Sequence, residues 1–169
     1  MTVEDKSRVD EVLNILEELE SMYVVVGILS STSGELIKIA AVQEFGADIP
    51  VTDKMRGFFA YNFGVNLKKS TTVIKIPERS YIRSSFDDKK SRVMELGDML
   101  YEVVNGGMSP RNFYEALGQT CVGIIQDYMI NEVNSPPNSG LTIANKGSSN
   151  PLVDTGRLVG SIDYEIKYR

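Results

Sequence analysis

The sequence predicts an α+β domain in which a small antiparallel sheet is packed by an N-terminal helix and two long helices, with extended loops between them. Three observations carry that expectation. Val9, Val12, Leu13, Leu16 and Leu19 recur at helical spacing near the start; Tyr23–Leu29, Thr71–Ile76 and Ser161–Tyr168 are β-branched or alternating; and the second half repeats its apolar residues every three or four positions over two long stretches. With 169 residues, 42% of them hydrophobic, the chain is long enough for one domain spanning 1–169 that needs no staples.

The elements follow in order. The first helix is amphipathic, with acids on the face opposite its apolar stripe, and is expected to dock. Tyr23–Leu29, the turn-like Ser30–Gly34 and a second apolar run, Leu36–Val42, read together as a hairpin. Gly46 and Asp48-Ile49-Pro50 mark a break, because the residue before proline resists the helical region. Thr52 offers an N-cap to a short helix carrying Met55, Phe58, Phe59, Tyr61 and Phe63, closed by Gly64. Thr71–Ile76 is the middle strand and stops at Pro77.

From about Ser80 to Val104, Phe86, Val93, Leu96, Leu100 and Val103 outline a long helix ended by Gly106-Gly107. Ser109-Pro110 supplies an N-cap and a proline at the first helical position of the next helix. Its stripe is Phe113, Leu117, Cys121, Ile124 and Tyr128, and it ends near Val133. A polar arm, Asn134–Asn150, follows, and loops of that length are usually functional surfaces or linkers. Ser161–Tyr168 then alternates Ile162, Tyr164, Ile166 and Tyr168 with Asp163, Glu165 and Lys167, the pattern of a strand with one wet face.

Composition narrows the chemistry. There is no histidine and one cysteine, Cys121, so the usual zinc and transition-metal ligand sets and an internal disulfide are missing, and no metal or cofactor is expected. Cys121 reads as a small core residue, since a reactive thiol needs an electropositive, partly open setting. The polar, acidic N-terminus and the lack of any apolar run near the ~18–20 residues that cross a bilayer point to a cytoplasmic chain with no membrane partner. Net charge is −5, all of it from Glu4, Asp5, Asp10, Glu11, Glu17, Glu18 and Glu20 against Lys6 and Arg8. Lys54–Arg92 carries ten basic residues and only Glu78, Asp87 and Asp88 as acids, which makes a nucleic-acid-binding adaptor one alternative reading.

An enzyme is not expected. Gly106-Gly107 and Gly140–Gly147 lack the context that cradles phosphate. Leu152-Val153-Asp154-Thr155-Gly156 looks like the signature of retroviral-type aspartic proteases, in which two aspartates share a proton across a dimer axis. The remainder does not fit: thirteen residues follow Gly156, too few for that fold's flap and closing strands, and Arg157 stands where a small residue belongs. The favoured reading is that Asp154 or Thr155 caps a short helix through Leu158–Ser161, with Leu152 and Leu158 seating the turn against the core. Arg79 and Arg83 bracket Tyr81-Ile82 and are candidates for a subunit boundary, where Arg and Tyr are favoured; Lys68-Lys69 has the ordinary look of a solvated turn.

Three pieces in order carry a resemblance: Ala41-Val42-Gln43-Glu44-Phe45-Gly46; Ile76-Pro77-Glu78-Arg79-Ser80-Tyr81-Ile82-Arg83; and Lys146-Gly147 through Pro151–Leu158 to Ser161-Ile162. Together with Lys54-Met55-Arg56 before an aromatic helix, they resemble the tail-completion or neck (virion morphogenesis) proteins of tailed bacteriophages, contractile-tail type. Glu78 and Ser80 depart from the Ala and Pro usual in that family's Ile-Pro-Ala-Arg-Pro stretch. The resemblance implies a structural virion protein, assembled in the host bacterial cytoplasm, that forms a homo-oligomeric ring, usually sixfold, joining tail to head connector. A tail terminator or head-connector ring, or a part in a tail-like bacteriocin, is a close variant. Implied partners are the chain itself, neighbouring neck, connector and tail-tube or terminator proteins, and non-specific contact with DNA in the lumen.

A ring needs heterologous contacts, for which the Asn134–Asn150 arm and the Glu44–Lys75 excursion are candidate donors and an exposed sheet edge the acceptor. The candidate interface residues are Glu44, Phe45, Arg56, Lys68, Lys69, Arg79, Tyr81, Arg83, Asn138, Leu141, Ile143 and Lys146. Leu141 and Ile143 are the arm's apolar anchors, and the arm is expected to order on assembly. Leu152, Asp154, Thr155, Gly156 and Leu158 form the structural motif behind it.

Overall fold

A computed structural model describes residues 8–140, 152 and 156–169. It is α+β. Helix α1 (Val9–Ser21) leads directly into strand β1 (Met22–Ile28), and β1 pairs antiparallel with the last strand, β4 (Ile162–Tyr168). Between them come α2 (Gly34–Phe45), β2 (Ala47–Pro50), α3 (Asp53–Phe63), β3 (Val73–Ile76), α4 (Ile82–Glu95), a 3-10 turn at Leu96–Asp98, α5 (Met99–Val104) and α6 (Pro110–Asn131).

The β1–β4 register explains the alternation. Val24 faces Ile166, Val26 faces Tyr164 and Ile28 faces Ile162 on the covered side, while Val25 and Glu165 pair on the exposed side. Helix α6 lies across the covered side, and α4 packs mainly on α6. The core gathers Ala40, Tyr81, Ile125, Met129, Val133, Leu152, Leu158 and Ile162. Leu152 and Leu158 are therefore buried, as the sequence suggests, and a 3-10 turn at Val159–Ser161 stands where the short helix was expected. Asp154 and Thr155 lie outside the described residues.

Cap chemistry places the helix starts. Ser33, Thr52 and Ser109 each accept a backbone N–H three residues on, at 3.4, 3.2 and 3.2 Å, and Gly64 closes α3 in the left-handed region at φ 64°.

Three expectations are corrected. The hairpin does not form: Leu36–Val42 lies inside α2, and β1 takes the C-terminal strand as its partner instead. The sheet is not single: β3 pairs with β2, drawn from the segment read as a break, so among the described residues there are two two-stranded sheets. The long helix after Ser80 is interrupted at Leu96–Asp98, where Gly97 sits. Its deepest side chains are Ser85 and Val103, while Phe86 is 60% exposed. On α6 the buried face is turned slightly from the expected stripe, to Phe113, Gly118, Ile124, Ile125 and Met129. Gly118 is decisive there, because a Cβ at that position would sit 2.3 Å from Cδ2 of Tyr164, so β4 approaches α6 closely only over glycine.

Candidate functional site

Residues 47–76 form a lobe of their own, in which β2, α3 and β3 enclose a loop that Arg56 holds together. Its guanidinium donates to the carbonyls of Leu67 (3.2 Å), Lys68 (2.8 Å) and Thr71 (2.8 Å). Arg56 is thereby a structural residue of the lobe, not a group free for a partner.

At the root of the lobe, two of the segments that carry the resemblance meet. Helix α4 begins after Tyr81, whose side chain is buried and donates to Ala40 O at 3.4 Å, so the N-cap position supplies no acceptor for the free N–H groups. Glu44, arriving from the end of α2, supplies it. Its Oε2 accepts from the N–H of Tyr81 (2.7 Å) and Ile82 (3.0 Å). Its Oε1 accepts from Arg83 N (3.2 Å), Ser80 Oγ (2.9 Å) and Arg83 Nε (3.0 Å). A carboxylate at a helix N-terminus also complements the macrodipole. Burial works to raise the Glu44 pKa, but the N–H groups of Ile82 and Tyr81 and the Arg83 side chain outweigh it and hold the carboxyl below its ordinary range. Arg83 reaches on to Glu78 Oε1 (2.8 Å) and Glu44 O (3.0 Å), and lies 4.8 Å above the ring of Phe45.

Gly46 follows at φ 72°. A Cβ there would meet Glu78 N and Ile76 O, each at 2.9 Å, so the Glu-Phe-Gly step is set by close backbone approach.

Arg79 completes the knot. It is 6% exposed; its N–H donates to Gln43 O (2.8 Å) and its guanidinium to Pro136 O (2.8 Å), Pro137 O (3.2 Å), Gln43 Oε1 (3.2 Å) and Asn138 Oδ1 (3.5 Å). All four side-chain partners are neutral oxygens, and burial lowers its pKa. The start of the Asn134–Asn150 arm is therefore bonded to the body by Arg79.

Of the candidate interface residues, Glu44, Arg79 and Tyr81 are buried and serve the fold, which corrects their placement on a subunit surface. Phe45, Lys68, Lys69 and Arg83 are exposed, Asn138 is half-buried on Arg79, and Leu141, Ile143 and Lys146 lie outside the described residues. Within the basic span, Arg56, Arg79 and Arg83 are spent internally and Lys89 pairs with Glu132 at 3.5 Å, leaving Lys54, Lys68, Lys69, Lys75, Lys90 and Arg92. The Glu44 knot is the feature that sequence reading missed. Its one signal is an acid near the end of a mostly apolar run, Leu36–Phe45, that stops at a glycine.

A shallow polar cleft lies beside the knot, lined by Glu78, Arg79, Ser84, Tyr128 and Glu132. Tyr128 donates to Asp88 Oδ2 at 2.7 Å, which with burial pushes its pKa up to about 12, so the hydroxyl is a poor acid. Cys121 is half-buried, and burial raises its thiol. Among the described residues no cluster of Cys, Asp and Glu is arranged to hold a metal ion, and no helix is long and apolar enough to cross a membrane. In comparisons with protein-family models, curated proteins and solved structures, the chain matches none.

Proposed function

We propose that this chain is a structural subunit of the head–tail junction of a contractile-tailed phage or phage-like particle, forming a homo-oligomeric tail-completion or neck ring. One observation supports the reading above the others. The Ala41–Gly46 and Ile76–Arg83 pieces of the resemblance, far apart in sequence, meet in one hydrogen-bonded knot, and the second of them grips the polar arm that leads to the third piece. The knot ties the root of the lobe and the start of the arm to the body, and fixed geometry at such a place is what an assembly subunit needs. The open edges of two short sheets, and apolar side chains left exposed on α1 and α3, fit the same role.

The test is deletion of the gene from its cluster, with electron microscopy of the particles. The expected result is filled heads and free tails that accumulate unjoined, and recovery of infectious particles on adding the purified chain. Heads and tails that still join without it would remove the reading.

A further inference from the structure

Two exposed helical faces of this chain match one another. On α1, Val12, Ile15 and Leu19 turn toward the body, but Val9, Leu13 and Leu16 form a second stripe at i, i+4 and i+7 that stays 58%, 51% and 44% exposed. Asp10, Glu17 and Glu20 lie along that stripe, and α1 carries five acids and no basic residue. On α3, Lys54, Phe58 and Tyr61 repeat the i, i+4, i+7 spacing, with Phe58 53% and Tyr61 90% exposed. Phe58 is braced by Phe59 and Phe63, at ring-centroid distances of 6.0 and 5.6 Å, so it is presented as a rigid anchor. The lobe holding α3 has Lys54, Arg56, Lys68, Lys69 and Lys75 against Asp48 and Asp53. One face is acidic and aliphatic, the other basic and aromatic, and both are about two helical turns long.

We propose that the Lys54–Phe58–Tyr61 face of one copy docks on the Val9–Leu13–Leu16 face of a second copy, with the lobe lysines over the α1 carboxylates. The occupant is a second copy because both complementary surfaces belong to the same chain, on separate elements, and opposite charges select the heterologous pairing over either face meeting itself. Aromatic residues such as Tyr61, together with a rigid Phe58, are the residue types that dominate interface energetics. Such a contact leaves the α1 face open on one copy of the pair and the lobe face open on the other, so it propagates and closes as a ring or runs on as a filament. The inference rests on the self-association in the proposed function, and names the surfaces that would make it.

The experiment uses the full chain, followed by sedimentation velocity and native mass spectrometry. The wild type should self-associate by about 0.1 mM and weaken as salt rises. A lobe variant, Phe58→Ser with Tyr61→Ser, and a helix variant, Leu13→Ser with Leu16→Ser, should each dimerise about 30-fold more weakly. Mixed together, the two variants should form a 1:1 complex and nothing larger, because each keeps the surface the other has lost. Where serine on α1 unfolds the chain by circular dichroism, Glu17→Lys with Glu20→Lys replaces it, with the same expectation. A wild type that stays monomeric, or mixed variants that do not pair, overturns the proposal. Variants that assemble as the wild type does also overturn it while leaving the ring reading intact. A 1:1 complex from a chain that fails to restore particles keeps this interface and removes the junction role.

Discussion

Glu44 shows how much structure one side chain can hold. Five hydrogen bonds end on its carboxylate, three of them from backbone N–H groups that have no other acceptor in α4. Glu44→Ala strands those donors in a buried place and should cost about 3 kcal/mol, while Glu44→Gln, which keeps one acceptor oxygen, should cost about half as much. Because its folded pKa is depressed below the ordinary value of 4.5, the carboxylate contributes stability above that value, and the contribution is lost as pH falls through the folded pKa. Chemical denaturation between about pH 5 and about pH 3 should therefore show a steeper loss for wild type than for Glu44→Gln. Parallel slopes would mean that Glu44 does not titrate with unfolding. A pattern-based reading cannot see this role, since an acid at the end of an apolar run looks the same whether it caps a distant helix or faces water.

At the scale of elements, the legible parts were those specified by local chemistry. Thr52 and Gly64 bound α3, Ser109-Pro110 start α6, and the strict alternation of Ile162–Tyr168 marks β4. Leu36–Val42 reads as a strand because Ile and Val raise β propensity, whereas Ala40-Ala41 and the Ser33 cap with Glu35 in the first turn are the helical signals that prevail. Pairing partners were not legible. Asp48-Ile49-Pro50 becomes a strand only because β3 returns beside it, and a proline at its end costs no inner hydrogen bond in a two-stranded sheet. Gly118 belongs to this scale too, as the place where α6 and β4 touch. Gly118→Ala gains helix propensity locally, yet drives a methyl group into the Tyr164 ring and should destabilise by about 1–3 kcal/mol. Gly118→Ala combined with Tyr164→Leu should recover part of the loss, and thermal melting of the single and double variants decides it. A stabilised single variant would mean that the Tyr164 ring can move aside more easily than its distance from Gly118 implies.

At the scale of the whole molecule, the chain closes by bringing its last residues back to its first strand. The β1–β4 pair is therefore a contact of long sequence separation, and the loop-closure entropy it costs must be offset by burial where the ends meet. Leu152 and Leu158 are the side chains that lock this return. They are 4% and 8% exposed and belong to the same cluster as Ile162 of β4, Tyr81 behind the Glu44 knot, and Ile125 and Met129 of α6. One cluster thus ties the C-terminal strand, the central helix and the root of the lobe together, so loosening it should be felt throughout rather than as fraying of the end. Leu152→Ala and Leu158→Ala should each cost about 2–4 kcal/mol and lower the melting temperature by about 10 °C. The melt should stay a single transition by both far-ultraviolet circular dichroism and tyrosine fluorescence. Separate transitions by the two probes would show that the C-terminal segment comes away as an independent unit. Unchanged melting in both variants would mean that the two leucines serve contacts between copies and not the fold of one.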